Sequence, residues 1–351
     1  MKRAVVLAGG GARGAFQVGM LRNLVLDRGL DFQIIRGVSV GALNASFLAQ
    51  APTQPDEQTS LAELKKKVGD LENLWRNEIK GNHSVYSARP GGLLGLAAGA
   101  DSLYSLEPLK RLLKKHLSDP ALKNSGRDFK VGTVSLPKAT YSEAGPDDPC
   151  FRDKLLASAS IPVVFPFVDL KKQKDVLVDG GVRNITPLSS VFAAGATEIY
   201  VLLTSRLVRA GKELPESGVQ EDDYDEWDDD FLGTKVSGFD VLKRTVEILT
   251  DEVYLDDIRG ALDWNDVLQG IKAVDDAVAG GGPLSASLRG ALDQLRHSTD
   301  KRYVPIHVLA PQEWFGEKNS STEFSPRLIQ QAVAHGQAVA ADRTKWLWPP
   351  A

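Results

Sequence analysis

The chain is 351 residues long, 42% apolar and slightly acidic at −4, enough to bury the core of one enlarged α/β domain or of a domain carrying an insertion. Its single cysteine, Cys150, excludes an internal disulfide and fits a reducing compartment. No apolar run approaches the roughly 20 residues of a bilayer span, and no recognition motif or basic–aromatic stripe supports nucleic-acid binding.

Met1-Lys2-Arg3 before Ala4-Val5-Val6-Leu7-Ala8 imitates a signal peptide, but glycines cut the apolar part to five residues. The segment therefore reads as a first strand over 3–8. Gly9-Gly10-Gly11-Ala12-Arg13-Gly14 follows, and Phe16, Met20, Leu21, Leu24 and Val25 then recur at helical spacing over 14–27. Glycines ahead of a helix leave backbone N–H groups bare for an anion, either a phosphate or a developing oxyanion. Gly9-x-Gly11-x-x-Gly14 also matches the dinucleotide fingerprint, which requires an acidic residue at the end of the second strand. That strand, 32–38, ends instead in Gly37-Val38-Ser39-Val40-Gly41, with a helix predicted over 40–50. Strand, serine between glycines, then helix is the order of a nucleophile elbow; the plain alternative is a turn whose serine caps the helix.

Further along, a helix is expected over 61–79, strands over 128–136 and 174–179, a helix over 188–194 and a strand over 198–204. This rhythm predicts an α/β fold with a mainly parallel sheet between helices. The apolar, glycine-rich Gly91 to Ala100 reads as a flap near an apolar pocket or as a plain connector. Val176-Leu177-Val178-Asp179-Gly180-Gly181 brings a carboxylate onto a glycine turn, a pattern that alone marks only a loop. Residues 206–237 are polar and suggest an insertion. Within them, 221–230 carry eight acidic residues, so the net −4 becomes +4 over the rest, and a solvated loop is the expected role. Basic clusters at Lys65–Lys67, Lys110–Lys115 and Lys171–Lys174 could favour an anionic membrane surface. Helices are expected over 239–278 and 284–296, a returning strand over 303–309, and a closing helix to Ala341 that opens on Ser325-Pro326.

Together, Gly9–Gly14, the Gly37–Gly41 elbow and Asp179-Gly180-Gly181, in that order, resemble the patatin-like phospholipases, which use a Ser–Asp dyad. Ala157 to Pro166 and Asn184 to Pro187 resemble further stretches of that family, and the likeness covers 3–50 and 128–204 best. The resemblance implies a three-layer core over 1–205 and 301–351, with 206–300 as acidic loop and helical insertion. It implies Ser39 as nucleophile, Asp179 as base, and the amides around Gly10 and Gly11 as oxyanion hole; Gly9, Arg13 and Gly14 complete the glycine motif, and Gly180 and Gly181 the aspartate loop. Ala8 stands where many members carry an acidic residue. The implied activity is hydrolysis of (lyso)phospholipid or related ester lipids at a membrane or micelle surface. No cofactor and no metal is called for: the five histidines, His83, His116, His297, His307 and His335, form no ligand cluster. The expected location is cytoplasmic or peripheral at a membrane. The competing readings are a Ser-His-Asp hydrolase using His297 or His307, a nucleotide-binding module using Gly9–Gly14, and a silent scaffold of the same fold.

Overall fold

The computed structural model describes residues 2–92, 95, 99–206, 258–277, 290, 303–313 and 321–349. The acidic run 221–230, His297, all but residue 290 of the helix expected over 284–296, most of the insertion and half of Gly91–Ala100 lie outside the described residues.

Strand β1 (Arg3–Leu7) shows why the sheet is central. Val5 and Leu7 enter one core, Ala4 and Val6 the other, and all four are fully buried. A strand covered on both faces has no polar side, so it appears in the sequence as an unbroken apolar run. After it come α1 (Gly14–Leu21), β2 (Ile34–Gly37), α2 (Val40–Leu48) and α3 (Glu57–Asn73). Wider turns extend α1 to Asp27 and α3 to Glu78. α3 starts earlier than the predicted 61 because Asp56 caps it, its Oδ2 accepting from the Thr59 N–H at 2.9 Å. The first turn, Glu57 to Ser60, is polar and so invisible to apolar periodicity.

A small hairpin, β3 (Ser87–Ala88) with β4 (Tyr104–Ser105), precedes helices Glu107–His116 and Asp119–Asn124. Then come β5 (Asp128–Ser135), β6 (Thr140–Ala144), helix Phe151–Ser158, β7 (Val168–Leu170), β8 (Asp175–Asp179), helix Leu188–Ala193, β9 (Glu198–Leu202), β10 (Ile306–Leu309) and helix Pro326–Ala341. The parallel block runs β10-β9-β1-β2-β5; β6 and β8 join β5 antiparallel, and β7 pairs antiparallel with β8 at the sheet's end. Helices cover both faces. Those from α1 to α3 and Pro326–Ala341 pack on one face, and Leu188–Ala193 with the helical residues 258–277 on the other. Ser325 caps the closing helix, its Oγ accepting from the Leu328 N–H at 3.3 Å. That helix crosses α1 closely: a Cβ on Gly336 would lie 2.1 Å from the Phe16 carbonyl oxygen. The crossing holds residues 321–324 over the glycine turn after β1.

Candidate active site

Two strands share one edge of β5. Val131 pairs with Gly37 on one side and Ala144 on the other; Thr133 pairs with Asp179 and, opposite it, Ser142. β2 therefore occupies this edge as far as Gly37, and β8 occupies the next stretch from the opposite direction. If β2 ran straight on, residue 39 would fall beside Thr133, the place that Asp179 takes. The chain turns away at Ser39 instead, and β8 ends at Asp179, so serine and carboxylate meet head to head.

The turn is sharp. Ser39 has φ 57 and ψ −131, a left-handed conformation that costs a non-glycine residue about 1–3 kcal/mol. Its side chain makes no cap bond to α2, against the helix-cap alternative. Its N–H donates to Ser158 Oγ at 3.1 Å, and its carbonyl accepts from Ala42 and Leu43. Gly41 has no room for a side chain, since a Cβ there would lie 2.0 Å from the Leu7 carbonyl oxygen. A Cβ on Gly37 would meet the Gly41 carbonyl oxygen at 2.5 Å.

Asp179 is 3% exposed. Its Oδ1 accepts from the Gly181 N–H at 2.8 Å, and its own N–H donates to the Ser160 carbonyl at 3.0 Å. Burial pushes its pKa up to about 7, against the lowering influence of the Gly181 N–H and the Ser39 hydroxyl. Oδ2 has no partner within hydrogen-bond geometry, although the Ser39 hydroxyl is close enough to act on the carboxyl's pKa. Gly180 packs on β5, where a Cβ would come 2.6 Å from the Gly132 carbonyl oxygen.

The glycine motif wraps the other side of the serine. A Cβ on Gly9 would approach Ser39 Cβ to 2.9 Å, and one on Gly14 would approach Val40 Cγ2 to 2.4 Å. Gly10 (φ +140) and Gly11 (φ +56) take angles that disfavour side chains. Each is also hemmed in, Gly10 by Thr204 Oγ1 and Gly11 by the Ser321 carbonyl oxygen, both 2.0 Å from where a Cβ would stand. Arg13 is buried and turns back on the loop, Nε donating to the Gly10 carbonyl at 3.3 Å. The Ala12 N–H is taken by the Ser321 carbonyl at 2.6 Å, whereas those of Gly10 and Gly11 meet no acceptor among the described residues.

Several positioning side chains went unread in the sequence. Besides Ser158, Thr204 Oγ1 donates to the Gly9 carbonyl. Gln17 Nε2 donates to the carbonyls of Ala8 and Leu202 at 2.8 and 2.9 Å, clasping the ends of β1 and β9. Gln17 Oε1 accepts from Asn44 Nδ2 at 2.9 Å, and Asn44 Oδ1 from Trp75 Nε1 at 2.9 Å. Gln17 and Asn44 carried a signal, as polar residues on otherwise apolar helix faces; Thr204 and Ser158 carried none.

Ser39 and Gly11 line a cavity of about 830 Å³ counted out to its open mouth. Leu43, Leu71, Leu109, Leu113, Phe165 and Phe324 are among its walls, and the lining is nearly all apolar. Of the histidines, His307 sits on β10, three strand spacings from β2, about 14 Å away. Its Nε2 faces Glu198 Oε1 at 3.2 Å, so the structure keeps it apart from Ser39. His116 pairs with Glu78 at 2.9 Å, and His335 Nε2 accepts from the Gln312 N–H at 3.1 Å. Among the described residues no group of three or more His, Cys, Asp or Glu could hold a metal, and no helix is long and apolar enough to cross a membrane.

Lysophospholipase NTE1 of Mycosarcoma maydis is 24% identical over 204 residues, 58% of this chain and 10% of that protein. Lysophospholipase nte1 of Aspergillus terreus is 24% identical over 200 residues, 56% of this chain and 12% of that protein. The chain thus spans about a tenth of the length of the curated relatives it matches. Among solved structures, VipD from Legionella pneumophila aligns over 98% of this chain and 67% of its own at 12% identity, with a TM-score of 0.34. The Patatin-like phospholipase family model matches residues 5–192, from β1 through the elbow and the aspartate turn to helix Leu188–Ala193, and the chain belongs to that family.

Proposed function

We propose that this chain is a serine-dependent lipid acyl hydrolase working through a Ser39–Asp179 dyad. The observation that carries the reading is a raised carboxyl held against a strained serine that opens on a leucine-lined cavity. Ser39 Oγ attacks the ester carbonyl while Asp179 takes its proton. The N–H groups of Gly10 and Gly11 receive the oxyanion, with the start of α2 adding its positive end. Asp179 passes the proton to the departing alcohol, then takes one from the water that opens the acyl-enzyme and releases the fatty acid. A carboxyl near 3.8 would be a feeble base at neutral pH; one near 7 is matched to the task.

The acyl chain lies along the cavity. A phospholipid or lysophospholipid is the substrate class we favour, given the names of the curated relatives. Residues 1–205 and 301–351 form the catalytic core, 206–300 an insertion, and the protein works in the cytoplasm at a membrane surface. The test is a panel of phospholipids, lysophospholipids and neutral esters with the released fatty acids identified. Ser39→Ala should release none, and equal release by that variant and the unmodified chain would remove Ser39 from the mechanism.

A further inference from the structure

Seven large apolar side chains stand exposed among the described residues. Trp264, Val267 and Val274 belong to residues 258–277. The other four, Leu136, Val163, Phe167 and Val182, lie on three loops: those of Val163 and Phe167 and of Val182 border Asp179, and the β5–β6 turn of Leu136 lies at the other end of β8, where the Leu136 N–H donates to the Val176 carbonyl at 2.9 Å. Val163 and Phe167 alternate with Ile161 and Phe165, which line the cavity, and this loop begins at Ser160, whose carbonyl holds the Asp179 N–H. Val163 itself is a β-branched residue at φ +69, a strained conformation that keeps an apolar side chain in water. Val182 follows the aspartate turn. Leu136 opens the β5–β6 turn, where the Ala139 carbonyl accepts from Arg183 Nη1 at 2.8 Å and so draws Val182 toward it.

These loops are also basic. Lys171, Lys172 and Lys174 form the β7–β8 turn, which lies beside the β5–β6 turn because Lys138 Nζ reaches Asp175 at 2.7 Å. With Arg183 they make four exposed cations that have no ion-pair partner among the described residues. Asp169 is the exposed carboxylate on the same loops. Exposed apolar side chains beside unpaired cations match an anionic bilayer in both chemistries, the first entering its acyl region and the second meeting its headgroups.

We propose that residues 136–139, 163–174 and 182–183 form the surface by which the protein docks on anionic phospholipid membranes. Docking there sets the Asp179 side of the site against the bilayer. The purpose of such docking rests on the acyl-hydrolase reading; the surface itself does not.

The test uses the full chain carrying Ser39→Ala, so that vesicles stay intact, and flotation with vesicles of phosphatidylcholine alone or with about a third phosphatidylserine. Binding should favour the anionic vesicles and weaken with salt. Lys171→Gln, Lys172→Gln and Lys174→Gln together should weaken it about 10²-fold, near fivefold per side chain, with little effect on neutral vesicles. Phe167→Ser should weaken binding to both kinds. In the chain with Ser39 intact, the lysine variant should hydrolyse a water-soluble ester at the unmodified rate, and an unchanged melting temperature checks its fold. If the triple variant melts early, Lys172→Glu alone replaces it, with an expected loss of tenfold or more. A well-folded lysine variant that binds anionic vesicles as tightly as its parent overturns the proposal, as does a parent that binds neither vesicle or binds only another protein. Vesicle binding as expected, in a chain that hydrolyses no ester, would leave the docking surface standing and remove the proposed activity.

Discussion

Replacing Asp179 by Asn should abolish turnover and yet make the protein more stable at alkaline pH. Burial raises this carboxyl from 3.8 to about 7, which at about 1.4 kcal/mol per pH unit costs the ionised form about 4 kcal/mol of folding free energy. The sign follows from proton binding. Between the two values the folded chain holds a proton that the unfolded chain has released, so this group's contribution to stability declines as pH rises from about 4 to 7 and is level above. Asparagine carries no such dependence. Its Oδ1 can keep the Gly181 N–H and its amide can face Ser39, but one amide hydrogen left without an acceptor takes back about 1–3 kcal/mol. The variant should therefore be the more stable one, by about 1–3 kcal/mol, near pH 8.5 and lose that advantage near pH 5. The change in the difference between those conditions, about 3 kcal/mol, does not depend on the amide's own cost. Urea unfolding of both proteins at the two pH values measures it. A difference that stays constant across that range would refute the raised carboxyl, and with it the account of Asp179 as a base suited to neutral pH. In the unmodified protein, kcat/KM should rise with pH through an apparent value near 7, while Asp179→Asn should lose about 10³-fold or more, as fully as Ser39→Ala.

The glycine turn can be probed without touching it. Thr204→Val keeps the shape but removes the donor to the Gly9 carbonyl, and should lower kcat about tenfold with KM little changed, in steady-state assays on a soluble ester. Gly11→Val should fail more broadly, because its side chain would collide with the Ser321 backbone; circular dichroism should show damage that Thr204→Val does not. Leu113→Trp intrudes on the cavity wall, so kcat/KM for long acyl chains should fall more than for short ones across a chain-length series. His307→Ala should keep hydrolysis and lower the melting temperature, since it removes one of the partners that Glu198 shares with Arg3 and Tyr200; activity as low as that of Ser39→Ala would revive a histidine base.

What was legible in the sequence was local. Gly9 to Gly14, the Gly37–Gly41 elbow and Asp179-Gly180-Gly181 are turns, and a turn's backbone demands are written in the few residues that make it. Apolar runs announced the buried parallel strands, and Ser325-Pro326 the closing helix, for the same reason. Polar first turns hid the start of α3, and strands of two or three residues such as β3, β4 and β7 are too short to show a period. Only the tertiary structure decided how the turns meet. Nothing in Val176–Asp179 says that β8 runs antiparallel, yet that direction, on the edge of β5 that β2 vacates at Ser39, sets the carboxyl at the serine. The carboxyl's raised pKa is likewise a property of its surroundings, because it comes from burial by residues far away in the chain. Thr204 on Gly9 and Ser321 on Ala12 join residues about 200 and 300 positions apart; such contacts answer to packing, which no stretch of sequence carries by itself.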